Sequence, residues 1–546
     1  MGKTSDAIHA LKESLRILTV EPIVFVLSMT NFMRTPSSQL LVLHKVCLLS
    51  YNDTICSDGG DTAIENDVQA DAAYWNFYLK LALFIPGAVV SSLYGPLSDR
   101  LGRRMFLIMP SLGNILGAAS FLLQTYFPKM PLDYLIASEV AVGLSGNIVT
   151  SYIVAKSYLC DVTDSSNRTK RLGVMKALSH VGGPIGAFLF GVLVDQSGFA
   201  AIYFILVVIH GFVILYVIFW LQETVYSESD QEMSSGDDED EVDETDAEDD
   251  SVQEDRETET DGHTKLKNGE NIKNAKNEQV ESDDSKEDEH GCNETRRSIR
   301  QSLTEVWKGV RSMLLLCFRE RQGSSRKYLL LAMLIGIIHN VCSSAESDLI
   351  VFYTKHSPLN WTATTIGIFI ALRTALKAVT LALGVPLIFK VVKNHTMQLD
   401  LGLACVGILS ISVALTMTAF AQSTSVMMIA AVVGMLVSFP SVAITAFKSK
   451  LVDPHEYGSL FAVTALIQTL MSVASSGLFN NLYTVFLPVW PGLSFIVIVG
   501  FYALSLLIIL YIWCDINSKS QEEDMMTDCG PTYKALKNIE DGKTEE

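Results

Sequence analysis

The sequence predicts an all-α membrane protein of twelve transmembrane helices arranged as two six-helix halves. Three observations carry this expectation. Apolar stretches long enough to cross a bilayer recur along the chain, they fall into two groups of six, and a long acidic segment separates the groups.

A bilayer core of about 30 Å needs about 20 apolar residues in a helix. Such stretches lie at 20–43, 75–97, 105–126, 131–158, 171–195 and 199–222. They recur at 328–354, 362–390, 396–420, 425–447, 457–485 and 489–514. The expected organisation is a cytoplasmic N-terminus (1–19), a first half (20–222), an acidic disordered linker ending in a basic amphipathic helix (223–326), a second half (327–514) and a cytoplasmic tail (515–546). Met1 to Arg16 carries Lys3, Asp6, Lys12, Glu13 and Arg16 and lacks a short apolar core with a small-residue cleavage site, so it does not read as a cleaved leader. Its Ile8, Leu11 and Leu15 recur at helical spacing, which fits either a helix on the membrane surface or a polar lead-in.

Charge makes up 18% of residues, against about 25% in soluble proteins. It is also clustered. The region 223–326 holds 31 acidic and 14 basic residues, and the tail from Asp515 holds 9 and 4, so the apolar body is weakly basic despite a net charge of −19. Between Glu228 and Asp261 there are 19 acidic residues and one basic one, Arg256. Such a run cannot bury enough apolar surface to offset chain entropy. It is either a solvated charge run or a regulatory segment, since Ser234 and Ser235 each have an acid three positions later. From Arg296 to Arg326 the linker turns basic. Ile299, Leu303, Val306, Val310 and Leu314 keep helical spacing there, which predicts a helix on the inner membrane surface.

Lys and Arg in short connections set orientation. With a cytosolic N-terminus, the inner loops hold Arg100, Arg103, Arg104, Arg168, Lys170, Arg171, Lys390, Lys393, Lys448 and Lys450, and the outer loops only Lys45, Lys129 and Lys355. Both termini and the linker therefore face the cytosol. This leaves Asn52, in Asn52-Asp53-Thr54, as the glycosylation candidate in the large outer loop. Only Cys47 and Cys56 lie in an outer loop, where they can close a disulfide.

The loop between the second and third spans reads Gly95-Pro96-Leu97-Ser98-Asp99-Arg100-Leu101-Gly102-Arg103-Arg104. Gly95 and Gly102 permit tight turns and close helix approach. Asp99 can cap a helix and pair with a basic residue. Arg100, Arg103 and Arg104 suit the anionic inner leaflet. The decapeptide fits the pattern G-x-L-(S/A)-D-(R/K)-x-G-(R/K)-(R/K), and the chain on these residues resembles the major facilitator superfamily. That resemblance implies a conformational role for the loop, latching the two halves when the carrier faces outward.

Ionisable groups inside spans are costly and mark function by default. Arg34 lies deep in span one and Lys156 near the inner end of span four. Lys176 and His180 are one turn apart in span five. His339, Glu346 and Asp348 lie in span seven, and Arg373 and Lys377 one turn apart in span eight. The substrate or proton pathway is expected at Arg34, Lys176, His180, His339, Glu346 and Arg373, cations binding a polar or anionic solute and Glu346, Asp348 or a His accepting protons. Two bland readings stay open. Lys156 and Asp348 can snorkel to an interface, and Arg34 can pair with Glu346 as a structural bridge. Gly182-Gly183-Pro184-Ile185-Gly186 in span five reads either as packing glycines or as a Gly-Pro signature of antiporters.

A second resemblance is more specific. Val20-Glu21-Pro22-Ile23-Val24-Phe25, Ser357-Pro358-Leu359-Asn360-Trp361, Lys450-Leu451-Val452, Gly458-Ser459-Leu460-Phe461-Ala462 and Ser476-Gly477-Leu478-Phe479-Asn480-Asn481-Leu482-Tyr483 resemble the proton-coupled folate transporter family of solute carriers. The resemblance implies proton symport. The family's acidic helix-five residue falls on Lys176, its helix-seven histidine on Ser343, its helix-ten arginine on Thr445, and its outer-face cysteine on Asn360. The chain therefore resembles an invertebrate-type or less characterised member rather than the folate carrier.

The expected function is secondary active transport of a small organic, anionic solute with protons, by alternating access. The alternatives are a uniporter of the same fold, or a non-transporting membrane receptor or scaffold. No nucleophile–base arrangement, metal-ligand spacing or phosphate loop appears, so no enzyme, cofactor or nucleic-acid role is expected. The expected partners are a small-molecule substrate, protons, the lipid bilayer and, at Tyr533 in Tyr533-Lys534-Ala535-Leu536, sorting adaptors. The membrane is either the plasma membrane or an endosomal or lysosomal one.

Overall fold

The computed structural model describes residues 19–51, 56, 62–163, 165–224, 325–392, 396–453 and 456–528, with some side chains inside these helices excepted. Asn52, the linker with Ser234 and Ser235, the 296–326 segment and Tyr533 lie outside the described residues. So do the side chains of Gly95, Asp99 and Arg100, although their backbone is helical.

The described chain is helical from end to end. In the first half the helices are α1 (Glu21–Ser50), α2 (Thr62–Leu101), α3 (Arg103–Tyr126), α4 (Asp133–Leu144), α5 (Asn147–Asp161) and α6 (Ser165–Trp220). In the second half they are α7 (Ser325–Lys355), α8 (Ala363–Val379), α9 (Val385–Val391), α10 (Met397–Ala419), α11 (Thr424–Val433), α12 (Phe439–Lys450), α13 (Tyr457–Phe486) and α14 (Leu493–Asp528). Eight stretches are long and apolar enough to cross a membrane. One of them covers 50 residues of α6 and turns at Gly198, whose φ of 76° only glycine adopts freely, so α6 makes two passages. α4 with α5, at 12 and 15 residues, make one passage in two pieces. α1, whose apolar run is interrupted by Asn31 and Arg34, and α13 bring the rods among the described residues to twelve.

Three rods break their α geometry at mid-depth. Between α4 and α5, Gly146 and Asn147 take φ of 103° and 51°. A π turn, Thr380–Gly384, joins α8 to α9, and a 3-10 turn, Gly434–Ser438, joins α11 to α12. Irregular backbone at membrane depth survives where it lines a cavity, and two of these breaks do so, through Leu381 and Ser438.

The two ends of the bundle differ. One carries the Cys47–Cys56 disulfide, with Cα atoms 5.9 Å apart, and the other carries the decapeptide. Among the described residues, the hydrogen bonds and the ion pair that tie one half to the other gather toward the disulfide end. Tyr483 donates to Gln69 at 2.8 Å, His356 meets Asn66 at 2.9 Å, and Asp195 accepts from the backbone N–H groups of Ala363 and Thr364 at 3.1 and 2.7 Å. Lys80 crosses to Asp348 at 2.5 Å and to Ser344 at 3.2 Å. Backbones touch there as well. A Cβ on Gly367 would sit 2.6 Å from the Ala187 carbonyl oxygen and 2.9 Å from Gly191 Cα.

At the motif end the ties among the described residues stay within a half. Glu223 accepts from the Arg103 and Arg104 backbone N–H groups at 2.6 and 3.1 Å, capping the start of α3. Gly102 has φ 96°, and a Cβ there would lie 2.7 Å from Glu223 Oε2, so the second motif glycine is required twice over. Arg103 reaches Asp161 at 2.9 Å and Ser98 at 2.7 Å, and Arg171 holds Glu21 at 2.8 Å.

Candidate functional site

A cavity of about 630 Å³ lies at mid-depth between the halves. α1 contributes Asn31, Phe32, Thr35 and Gln39, α5 contributes Ile148 and Tyr152, and α6 contributes Ser179 and His180. From the other half come Ser347, Ile350 and Val351 of α7, Arg373 and Lys377 of α8, Leu381 of the π turn and Ser438 of the 3-10 turn. The walls are largely apolar and aromatic. The lining residues that carry a fixed charge are both cations, Arg373 and Lys377.

Their positions follow from the helices. Arg373 and Lys377 are four residues apart on α8, so they share a face. Arg373 is held by Glu346 of α7 at 2.6 Å, and its guanidinium lies 5.6 Å from the Phe369 ring. Glu346 is buried behind it. Lys377 has no ion-pair or hydrogen-bond partner among the described residues. His180 faces these cations from α6, and its Nε2 is buried without a partner among the described residues. Gln39 closes the cavity toward the disulfide end and donates to the Asp348 carbonyl at 3.4 Å.

The structure sorts the expected pathway residues into three groups. His180 and Arg373 line the cavity, with Glu346 directly behind. Arg34 does not, and its partner is Glu139 of α4 rather than Glu346, because α1 turns that face toward its own half. Lys176 is exposed on the same face of α6 as His180, one turn nearer the motif end, and is not among the lining residues. His339 packs beside Tyr502, with ring centroids 6.0 Å apart, and stays behind the wall.

Two more expectations are corrected. Asp348 does not snorkel, being 2% exposed and paired with Lys80. Lys45 is not in a loop, because α1 continues to Ser50. Its ammonium is 1% exposed and donates to the Gln124 side chain and to the Met130 and Phe127 carbonyls at 3.0 and 3.3 Å, closing off the end of α3. Gly182 and Gly186 are packing glycines. A Cβ on Gly182 would lie 2.5 Å from the Phe25 carbonyl of α1, and one on Gly186 would strike the Met29 carbonyl.

Glu139 and Lys80 are the charged residues that sequence reasoning missed. The signal was present in both cases, as a lone charge inside an apolar stretch: Ser138-Glu139-Val140 and Leu79-Lys80-Leu81.

The comparisons with known proteins agree with this architecture. The family model described as Major Facilitator Superfamily matches residues 63–476. The lysosomal proton-coupled steroid conjugate and bile acid symporter SLC46A3 of Gallus gallus is 22% identical over 511 residues, covering 91% of this chain and 94% of that protein. The proton-coupled folate transporter of Bos taurus is also 22% identical, over 88% of this chain and 89% of its own. Among solved structures, the human organic anion transporter MFSD10 aligns with a TM-score of 0.53 at 13% identity, over 90% of this chain and 98% of its own. A peptide transporter, POT, in complex with sulfate aligns with a TM-score of 0.54 at 11% identity, over 91% and 94%. At such identities the structures speak for the fold.

Proposed function

The chain belongs to the major facilitator superfamily and is a membrane transporter, and on that premise we propose that it carries an amphipathic organic anion together with protons. The observation that carries this reading is the wall of the cavity. Two cations one turn apart, Arg373 and Lys377, stand in a wall where apolar side chains alternate with uncharged hydroxyl and amide groups. An anionic head fits the cations and an apolar body fits Phe32, Ile148, Tyr152, Ile350 and Val351. The steroid conjugates and bile acids named for the relatives have this shape of chemistry.

Glu346 gives the cavity a means of linking anion to proton. While ionised it occupies Arg373. Once protonated it releases the guanidinium for bidentate pairing with an arriving anion. A proton on Glu346 and an anion on Arg373 therefore favour each other. The excess of Lys and Arg at the motif end supports a cytosolic position for that end. The ties at the disulfide end then mark an inward-facing conformation, and rocking of the halves about the cavity would break them. In the opposite conformation the decapeptide latches the halves. An acidic lysosomal or extracellular compartment supplies the protons.

The test is reconstitution of the full chain into proteoliposomes with a radiolabelled steroid sulfate, a bile acid or a folate. Uptake that rises with an inward proton gradient, and loses that dependence in Glu346→Gln, supports the proposal. Uptake indifferent to pH makes the protein a uniporter. No uptake of any of the three anions, with loss of a cellular output on deletion of 228–261, makes it a receptor.

A further inference from the structure

A second buried pair lies in the first half, away from the cavity. Arg34 of α1 holds Glu139 of α4, and Glu139 is 4% exposed. The Arg34 guanidinium lies 5.9 Å from the Phe121 ring of α3, which stacks on Tyr203 of α6 at 5.2 Å. Tyr203 is fully buried, and His210, two turns further along α6 and within electrostatic reach of Arg34, is 3% exposed.

Four polar atoms in this cluster are buried and have no partner among the described residues: Arg34 Nε, Glu139 Oε2, the Tyr203 hydroxyl and His210 Nδ1. Each unsatisfied buried group costs about 1–3 kcal/mol. A pair kept only to hold helices together would be expected to use both carboxylate oxygens. Here one oxygen stays without a partner among the described residues, within electrostatic reach of the Tyr203 hydroxyl, which can relay a proton or share a bridging water.

We infer that Glu139 is a proton-binding site of this chain, separate from the anion site. Protonation at Oε2 neutralises Glu139 and leaves Arg34 a buried cation without a counter-ion. That state costs several kcal/mol, so proton binding favours any rearrangement in which α1 carries Arg34 to another partner. α1 also lines the cavity through Asn31, Phe32 and Thr35, so the anion site senses the shift. The titratable and charged groups around the pair are Arg34 from α1, Tyr203 of α6, which reaches both partners, and His210 of α6, which reaches Arg34. α3 presents Phe121 and Gly117, and α2 meets α4 through Leu83, Pro86 and Gly87. The use of this proton in transport rests on the proton-coupled reading above. Its binding does not.

Infrared difference spectroscopy of the reconstituted full chain between neutral and acidic pH tests the binding without a substrate. Acidification is expected to produce a buried protonated-carboxyl band that Glu139→Gln removes and Glu346→Gln leaves. If Glu139→Gln does not fold, Glu139→Asp is expected to move the midpoint of that band. A spectrum unchanged in Glu139→Gln, or a midpoint unmoved in Glu139→Asp, overturns the inference. Steroid sulfate counterflow at equal pH provides the second reading. Glu139→Gln is expected to keep counterflow while gradient-driven accumulation falls about tenfold or more. Parallel loss of both overturns a coupling role, and wild-type uptake indifferent to pH overturns the proton-coupled reading alone.

Discussion

Each half of the molecule buries an arginine–glutamate pair with the arginine beside a phenylalanine ring, yet the two pairs face different surroundings. Arg34 and Glu139 sit inside the first half, with a buried Tyr203 hydroxyl and His210 Nδ1 that have no partner among the described residues. Arg373 and Glu346 sit at the boundary of the second half, where Arg373 opens onto the cavity and Tyr502 and His339 stand behind. The same chemistry therefore has two outcomes. A pair at the cavity wall can exchange its carboxylate for a solute anion. A pair in the interior can exchange its carboxylate only for a proton or water.

The largest expected effect breaks this comparison at the interior pair. Glu139→Ala leaves Arg34 a buried unpaired cation and is expected to destabilise the protein by about 3–5 kcal/mol. Removing both charges in Arg34→Gln/Glu139→Gln should restore much of that. Glu346→Ala should cost less, because water in the cavity reaches Arg373. Thermal unfolding in detergent reads all three, and equal losses at the two pairs would erase the distinction between them.

A smaller effect sharpens it from the other side. Arg373→Gln is expected to weaken binding of a steroid sulfate by about 1.5–3 kcal/mol, the range for hydrogen bonds to charged groups. Arg34→Gln should leave that affinity unchanged in protein that folds. Scintillation-proximity binding to purified protein distinguishes them. An affinity loss in Arg34→Gln matching that in Arg373→Gln would place both arginines at the solute.

The smallest effect concerns the seam between the halves. Gly367→Ala places a Cβ 2.6 Å from the Ala187 carbonyl, which is expected to oppose closure of the disulfide end by about 1–2 kcal/mol. A cysteine placed at Ser347 should then label faster with a membrane-impermeant thiol reagent added on that side. Unchanged labelling would mean that the seam yields to a methyl group without opening.

Much of the fold was legible before any coordinates. The apolar stretches gave the rods because a bilayer demands about 20 apolar residues per crossing, and the decapeptide marked its turn through Gly102 and Arg103. Where rods break was harder to read, since Gly146, Thr380–Gly384 and Gly434–Ser438 lie inside continuous apolar runs whose composition does not change at the break. The site was half legible. Arg373, Lys377 and His180 stood out as charges in spans, but which face each helix turns to the cavity, and at what depth, was not visible, so Lys176 and His339 were grouped with them.

By itself the sequence determined that the chain crosses a membrane repeatedly, which loop is basic, and that Cys47 and Cys56 are close enough along the chain to be bridged. These properties are local, set by composition and by spacing within a few residues. Only the tertiary structure decided which charge meets which. Arg34 finds Glu139 105 residues away, and Lys80 finds Asp348 268 away. A buried charge must be paired wherever it lies, so the sequence announces that a partner exists. The rotation and depth of each helix decide which partner it is.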